Sequence, residues 1–487
     1  MRSPDFHGSD LGRWLGFFVI LSATLLSVLD FLIVNIALPS IQADLRASDA
    51  QVQFLVAGYG LAFAVFLITG GRMGDIYGRR TMFQVGMLGF TLASALCGFA
   101  QSANQLVLFR VIQGLVAAFM APQVLATVQV TFEGRERDKA TGIIGATVGV
   151  GSFLGNVLGG YLVGADLFGL GWRSIFFVNV PIGILAIALS FFFVPESKSP
   201  SAKKLDIPGA LLSGTALFLL IFPIAEGREH NFPLWAFAMM GASAFMFWLF
   251  VRYQNLLAKR GGSPLVDMEL FRSAGYARGL GAILLLFSGI SSFSLTLTLF
   301  LQKGLGATPQ DVGKIFAALS ISFLIASLGA VKLVARIGNK TLLLGLAMMQ
   351  IGQIALIVIP LYTQGQLSPF WFVPVLFFYG LGQGLSVPQI IRQTLNAVGN
   401  QNAGAAAGVL NTTQQVAFSL GISVVGSVFF AFAENGDSAQ SYSYGLAAAF
   451  ACNFVFVLVA RLLLARNFRK EASAQEAESA PIVAIEA

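Results

Sequence analysis

The stretch at residues 14–39 reads WLGFFVILSATLLSVLDFLIVNIALP, and its only charged residue is Asp30. A transmembrane helix needs about 20 consecutive apolar residues, so this stretch is long enough to cross a bilayer. It is too long for a cleaved signal peptide and lacks the small-residue cleavage site of such a peptide. It therefore predicts a first membrane span close to the amino terminus.

The whole chain has the composition of a membrane protein. Of its 487 residues, 56% are hydrophobic and 11% are charged, and the mean hydropathy is +0.77. An ordinary soluble domain carries about 25% charged residues, so this composition excludes a water-soluble enzyme. Cys97 and Cys452 lie in apolar segments, whereas His7 and His230 lie in polar ones. This distribution argues against a disulfide framework and against a metal site built from these residues.

Thirteen further apolar segments follow the first, which predicts fourteen membrane spans. They lie at residues 51–70, 81–99, 105–130, 140–163, 174–194, 208–225, 233–251, 276–301, 312–335, 341–362, 370–391, 402–432 and 442–464. An even number of spans places both termini on the same side of the membrane. The short loops leave no room for a large globular domain.

The basic residues are distributed unevenly between the two sets of loops. With a cytoplasmic amino terminus, cytoplasmic loops hold about five times as many Lys and Arg residues as outer loops, which satisfies the positive-inside rule. The outer loops hold only Arg46, Arg173, Arg228, Lys303 and Lys314. We therefore expect a multi-pass protein of the cell (plasma or inner) membrane with both termini in the cytoplasm. The net charge of +7 then reflects topology, and no nucleic-acid partner is predicted.

These spans predict an all-α integral membrane protein with two six-helix bundles and two extra central helices. We assign residues 1–13 to a cytoplasmic amino terminus, 14–194 to the first bundle, 195–275 to an inserted helix pair with cytoplasmic linkers, 276–464 to the second bundle, and 465–487 to a disordered cytoplasmic tail. A weak repeat supports this division: GRMGDIYGRR (71–80) follows span two, and ARIGNK (335–340) follows the second span of the second bundle. Parallel repeats are typical of secondary transporters with a central cavity.

Asp30 is the one acidic residue, among 23, that lies well inside an apolar segment. An ionised aspartate at mid-bilayer costs about 2.5–3.5 kcal/mol even on insertion scales, so it faces a wet cavity, pairs with a base or takes up a proton. Removal from water favours the neutral form of a carboxyl, which makes Asp30 a candidate reversible proton carrier. The alternative is a structural carboxylate hydrogen-bonded to Ser27, one turn away.

Arg110 in span four is the natural partner of Asp30. Span one runs outward and span four inward, and at 1.5 Å per residue the depths of the two residues agree within roughly 6 Å. Because an arginine does not release its proton, Arg110 would tune Asp30 or hold polar groups. The alternative is a packing arginine that donates to backbone carbonyls.

An ordered set of motifs resembles a known family of transporters. The loop GRMGDIYGRR resembles the signature of the major facilitator superfamily, with matches at Gly71, Asp75, Gly78, Arg79 and Arg80. LDFLIVNIALP in span one, LVLFRVIQGLVAA in span four, WRSIFFVNVPIG, LDIPGALL, SPLVDMELFR and GVLNTTQQV resemble segments of its fourteen-span drug:proton antiporters, through residues such as Asp30, Asn35, Pro39, Arg110, Gln113 and Gly114. The matches run from Asp30 to about Gln415.

The resemblance implies roles for two of these motifs. The charged loop after span two would lock the inward gate and be released as the bundles alternate. Span five carries small residues at four-residue spacing, which permits close helix contact. The residues of this antiporter motif are Gly151, Gly155, Asn156, Gly159 and Gly160. Asn156 stands where the family has a proline, so we expect this helix to bend less.

The resemblance further implies a proton-coupled secondary transporter that exports hydrophobic or cationic compounds by alternating access. The proton gradient would supply the energy, without a cofactor, and the partners would be the small-molecule substrate, protons and the bilayer. Candidate cavity contacts are Asn35, Gln113, Gln123, Asn411 and Gln415, with hydrogen bonds between helices as the alternative role of these amides.

Three other functions stay open at this point. The same fold could export one physiological metabolite or siderophore, the chain could be a membrane sensor that has lost transport, or it could be a membrane-embedded enzyme. A periplasmic adaptor protein is an open possibility as a partner of an exporter.

Overall fold

The computed structural model describes residues 10–199, 205–398, 403–433 and 438–478, which form a helical protein. Within these described ranges, fourteen helices are long and apolar enough to cross a membrane, so the predicted fold class is confirmed. The first six are α1 (Asp10–Leu45), α2 (Asp49–Tyr77), α3 (Arg79–Phe99), α4 (Ala103–Thr131), α5 (Gly134–Ala165) and α6 (Gly171–Phe193). The inserted pair is α7 (Ile207–Glu229) and α8 (Leu234–Lys259). The last six are α9 (Ala274–Leu299), α10 (Pro309–Ile337), α11 (Lys340–Thr363), α12 (Phe372–Asn396), α13 (Ala403–Ala433) and α14 (Ala439–Glu478).

We call the side on which α1 begins and α14 ends the terminal face, and the other side the opposite face. Odd-numbered helices run from the terminal face to the opposite face, and even-numbered helices run back. A turn of π-helix at Phe300–Gly304 ends α9 at the opposite face.

Helix α14 is longer than the apolar segment that predicts it. It continues to Glu478, so residues 465–478 are helical where the sequence analysis predicts a disordered tail. This stretch is rich in alanine and glutamate, which are strong helix formers and extend the helix beyond its apolar part. The rest of the predicted tail, from residue 479, lies outside the described residues.

Close backbone contact between α2 and α4 shapes the first bundle. A Cβ atom on Gly114 would lie 2.2 Å from the carbonyl oxygen of Tyr59, so only glycine allows this approach. Arg110 lies one turn before Gly114 on α4, and the contact therefore presses its side chain against α2. The helix α1 packs beside α5 in the same bundle.

The inserted pair packs through α7 on α2 of the first bundle and on α13 of the second, and α8 packs on α7. The Ser427 hydroxyl of α13 donates to the carbonyl of Ile224 in α7, at 3.0 Å. Buried Asp206, just before α7, accepts from the Gln254 amide of α8 at 2.7 Å and from the backbone N–H of Leu265 at 3.0 Å. The pair is therefore tied to its own linker and lies along one boundary between the bundles.

The two bundles are joined in the half of the membrane near the opposite face. Among the described residues, the side-chain hydrogen bonds between bundles include Gln302 to the carbonyl of Ile36 (2.8 Å) and the Lys303 ammonium to the Gln42 amide oxygen (2.6 Å). Nearer the middle, the Ser419 hydroxyl donates to the carbonyl of Ala57 at 3.0 Å. The bundles are thus closed against each other on the opposite face.

Candidate functional site

Asp30 lies at the centre of a buried polar cluster inside the first bundle. One carboxylate oxygen accepts from a guanidinium nitrogen of Arg110 at 2.5 Å. The other accepts from the Gln113 amide at 3.0 Å and from the Asn179 amide at 2.9 Å. All four residues are 0% exposed. Donors from α4 and α6 therefore hold the carboxylate of α1 away from solvent.

Arg110 makes contacts of both predicted kinds. It forms the ion pair with Asp30, and its Nε donates to the backbone carbonyl of Leu55 in α2 at 3.1 Å. Its guanidinium also lies 4.3 Å from the ring centroid of Tyr59, within the range of a cation–π contact. Arg110 thus connects the carboxylate of α1 to the backbone of α2. Its Nη2 atom has no hydrogen-bond partner among the described residues.

Ser27 does not hold Asp30 as the alternative proposed. Its hydroxyl donates to the carbonyl of Ala23 at 2.7 Å, within its own helix. The carboxylate is instead held through Asn179, which also donates to the Ser94 hydroxyl of α3 at 3.0 Å. Asn179 and Ser94 are functional candidates that the sequence analysis missed. The available signal was an isolated amide in the apolar segment VNVP of span six.

The charged residues of the predicted gating loop bind the segment that follows α6. Arg79 pairs with Asp75 at 2.8 Å, and its backbone N–H donates to the carbonyl of Ser197 at 3.0 Å. The backbone N–H of Arg80 donates to the carboxylate of Glu196 at 3.1 Å. These bonds stay within the amino-terminal half of the chain, and Glu196 is a partner that the motif did not reveal.

The glycines of this loop and the nearby side chain of Gln123 in α4 contribute to helix packing. Gly78 has a φ of +117°, and a Cβ there would lie 2.4 Å from the Glu196 carboxylate. Gly71 packs against Pro122 of α4. Gln123 donates to the carbonyls of Gly70 at 3.0 Å and Phe119 at 2.8 Å. Gln123 therefore forms a hydrogen bond between α2 and α4. This is the alternative to a cavity contact that the sequence left open for this amide.

The helix α5 has small residues on two faces. Gly151, Gly155 and Gly159 face α1, where they meet residues from Leu25 to Ile33. Gly160 faces α10 of the second bundle: its Cβ would lie 2.5 Å from the carbonyl oxygen of Pro309. Asn156 is buried on that second face and donates to the Ser320 hydroxyl of α10 at 3.2 Å. The residue that replaces the motif proline therefore bridges the two bundles.

The other candidate cavity residues differ in exposure. Asn35 is buried and donates to the carbonyl of Phe31 in its own helix at 2.8 Å. Asn411 of α13 is exposed, and Gln415 is partly buried. In the parts of the chain that the structure describes, no three His, Cys, Asp or Glu side chains come together as metal ligands would.

A group of phenylalanines lies where α1 meets the second bundle. Phe31 stacks on Phe418 of α13, with ring centroids 4.9 Å apart and an interplanar angle of 25°. Phe287 of α9 lies 5.5 Å from Phe418. Phe31 directly follows Asp30, so this aromatic group adjoins the polar cluster at the boundary between the bundles.

The family profile described as the Major Facilitator Superfamily matches residues 20–422. The chain belongs to this superfamily. It is thus a membrane transporter and not an enzyme, and the charged cluster lies in the bundle formed by its first six helices.

Named relatives and a solved structure agree with the family assignment. The probable actinorhodin transporter of Streptomyces coelicolor is 39% identical over 96% of this chain and 82% of its own length. The multidrug resistance protein Stp of Mycobacterium tuberculosis is 34% identical over 83% of this chain and 73% of its own. A bacterial homolog of the human lysosomal transporter Spinster has a TM-score of 0.64 at 17% identity, over 94% of this chain and 97% of its own.

Proposed function

We propose that this superfamily transporter exports hydrophobic or cationic drug-like compounds in exchange for protons. The observation that carries the proposal is the fully buried ion pair between Asp30 and Arg110, next to the boundary between the bundles. Buried charges in a membrane are expensive and are found mainly where they act on ions or substrates. The relatives named for actinorhodin transport and multidrug resistance support export as the direction of transport.

The proposal includes an orientation in the cell membrane. The basic loops favour a cytoplasmic terminal face. Because the bundles are joined near the opposite face, the described conformation would then be closed to the outside. Asp30 would exchange protons with the outside only after the contacts at the opposite face have parted.

The mechanism follows from the charge of the polar cluster. When Asp30 is ionised, its charge balances that of Arg110. When Asp30 takes up a proton, the cluster carries one positive charge, because Arg110 keeps its own. A cationic substrate beside the cluster is then repelled by about 2 kcal/mol, if the two charges are roughly 8 Å apart at an effective dielectric constant of about 20. Proton uptake from outside thus favours substrate release there, and proton loss to the cytoplasm restores binding.

The phenylalanine group gives the substrate a place to bind. The partly exposed rings of Phe31 and Phe418 present aromatic faces, which suit flat apolar molecules and cations. A substrate held against the exposed faces of these rings would contact both bundles and lie close to Asp30, which precedes Phe31 in the chain. The exposed amide of Asn411 and the partly buried amide of Gln415 on α13 are further candidate contacts.

A second candidate substrate range is a single solute. The relative named for actinorhodin is named for one compound, which favours a dedicated exporter of the same fold. A growth panel of unrelated toxic cations and aromatic antibiotics separates the two readings. Protection against one compound alone would establish the dedicated exporter.

The test is transport in vesicles of purified protein with an imposed pH gradient and a pH-reporting dye. Wild type should show proton flux that depends on substrate. Asp30→Asn should insert into the membrane but lose this flux, and it should bind a cationic substrate more weakly, because the neutral side chain leaves the charge of Arg110 unbalanced as a protonated Asp30 does. The control is Asp311→Asn, which removes a carboxylate from the exposed pair with Lys314 near the opposite face and should leave the flux unchanged. Undiminished coupling in Asp30→Asn would remove Asp30 from the mechanism.

A further inference from the structure

One stripe of α8 carries aromatic and basic side chains on the outer surface of the protein. Phe245, Trp248, Arg252, Asn255 and Lys259 follow one another at spacings of three or four residues, so they share one face of the helix. All five are exposed. A shallow groove of about 470 Å³ lies along the stripe from Trp248 to Lys259.

Along the stripe, apolar side chains are followed by polar and cationic ones, in the same order as the acyl chains and the head group of a phospholipid. The rings of Phe245 and Trp248 stack with centroids 5.7 Å apart, and both residues lie near the middle of α8. Asn255 and Lys259 lie in the last two turns of α8, at the terminal face. Apolar surface at the depth of acyl chains thus passes into cationic surface at the depth of head groups.

Arg252 has an unusual position for a surface arginine. It lies about 10 Å before the end of α8 at 1.5 Å per residue, and its guanidinium is 5.3 Å from the Trp248 ring, on the side away from the terminal face. Arginines at the end of a span usually extend their charge toward water. The distribution of basic residues by loop explains a positive charge here, but it does not explain a guanidinium held over a membrane-facing ring.

The two cations on the stripe call for an anion. Among the described residues, no carboxylate forms an ion pair with Arg252 or Lys259. Their backbone positions lie seven residues apart, which is two turns or about 10 Å along the helix, so their long, exposed side chains can reach one phosphodiester that lies between them. Clusters of Lys and Arg beside a span are favourable sites for anionic lipids.

We propose that this stripe binds one anionic phospholipid of the leaflet at the terminal face. The phosphate lies between Arg252 and Lys259, and an acyl chain lies along Trp248 and Phe245. A zwitterionic lipid fits less well, because its own ammonium group would face the same two cations. The site depends on the proposed function in one respect only, which is that the proposed orientation makes this leaflet the cytoplasmic one.

The test uses the full chain in phosphatidylcholine vesicles that contain increasing fractions of phosphatidylglycerol with brominated acyl chains, which quench tryptophan fluorescence on contact. The Trp248 signal is the difference between wild type and Trp248→Phe, since the chain has five tryptophans. Quenching of Trp248 should saturate at a low fraction of brominated phosphatidylglycerol. Brominated phosphatidylcholine should quench only in proportion to its fraction. Equal quenching by the two lipids in the wild type would overturn the proposal without any variant.

Charge variants test the position of the head group. Arg252→Gln with Lys259→Gln should raise the half-saturating fraction of phosphatidylglycerol about tenfold or more, because both cations that hold the phosphate are lost. Arg252→Lys should largely keep the preference. Arg260→Gln removes one charge from the same end of α8 but off the stripe, and it should change nothing. If Arg260→Gln raised the half-saturating fraction by the same factor, the lipid preference would come from the general surface charge and not from a site on the stripe.

The quenching readout does not depend on transport. A lipid preference in a protein that fails to exchange protons would leave this site standing and remove the proposed function. Active exchange without a lipid preference would do the reverse.

Discussion

At the scale of single residues, the arrangement around Asp30 makes each partner depend on the others. Arg110 neutralises the carboxylate, while Gln113 donates to Asp30 and accepts from Arg110 at 2.7 Å. Asn179 links the same carboxylate to Ser94 of α3. A change in the charge of Asp30 therefore alters the side-chain contacts of α3, α4 and α6 as well as those of its own helix.

Replacing Arg110 with glutamine should destabilise the protein strongly. The change leaves the Asp30 carboxylate buried without its cation, and breaking a buried pair in this way costs about 3–5 kcal/mol. The double variant Asp30→Asn, Arg110→Gln should recover much of that loss, because no buried charge remains. The measurement is the midpoint of thermal unfolding in detergent for the two single variants and the double variant. Additive losses in the double variant would contradict the pairing.

The sequence revealed the charged members of this cluster and, through the span-four motif, Gln113, but it did not reveal Asn179 or Ser94. Charges inside apolar segments are rare, so Asp30 and Arg110 stood out by elimination. Asn179 and Ser94 did not, because neutral polar residues are common in membrane spans. The span that holds Asn179 is apolar on all sides, and such a helix gives no indication of which face points inward.

At the scale of helices, close approach between α2 and α4 holds Arg110 in place. Gly114→Ala should weaken transport and lower stability, because the new Cβ would lie 2.2 Å from the Tyr59 carbonyl and overpacking of this kind costs about 1–3 kcal/mol. The control is Gly142→Ala in α5, where a Cβ meets nothing within 4 Å. Thermal unfolding and the proton-flux assay both report the effect. If the two variants had the same unfolding midpoint and the same proton flux, the close contact between α2 and α4 would not be essential.

The hydrogen bond from Asn156 to Ser320 should favour the conformation that is closed at the opposite face. A neutral hydrogen bond contributes about 0.5–1.5 kcal/mol, so Ser320→Ala should shift the balance between conformations by about two- to tenfold toward the open state. Alkylation of a cysteine introduced at Gln42, by a reagent that does not cross membranes, measures this shift. Ser322→Ala is the control, since that hydroxyl donates to Leu319 within its own helix. An unchanged alkylation rate in Ser320→Ala would remove this bond from the conformational balance.

At the scale of the whole molecule, the sequence predicts the fourteen helices from its long apolar segments, and it predicts their division into bundles from the weak repeat at residues 71–80 and 335–340. It does not predict which face is closed, since one sequence populates both conformations of an alternating transporter. The hydrogen bonds that close the opposite face, such as that between Gln42 and Lys303, join segments far apart in the chain. No sequence pattern marks the residues that form them.

Locking the bundles together at the opposite face should therefore stop transport reversibly. In a variant with Cys97→Ser and Cys452→Ser, cysteines at Gln42 and Lys303 replace the ends of a 2.6 Å hydrogen bond between bundles, and a short thiol-reactive crosslinker that a reductant cleaves can join them. Crosslinking should abolish substrate-dependent proton flux, and cleavage of the linker should restore it, because alternation requires this contact to open. The matched control places cysteines at Gln51 and Asn104, which are hydrogen-bonded at 2.7 Å on the same face but within one bundle. A rigid bundle tolerates that link, so the control should keep its flux after crosslinking. Full transport with residues 42 and 303 joined would mean that the bundles do not part at this face, and the proposed route of protons to Asp30 would then be wrong.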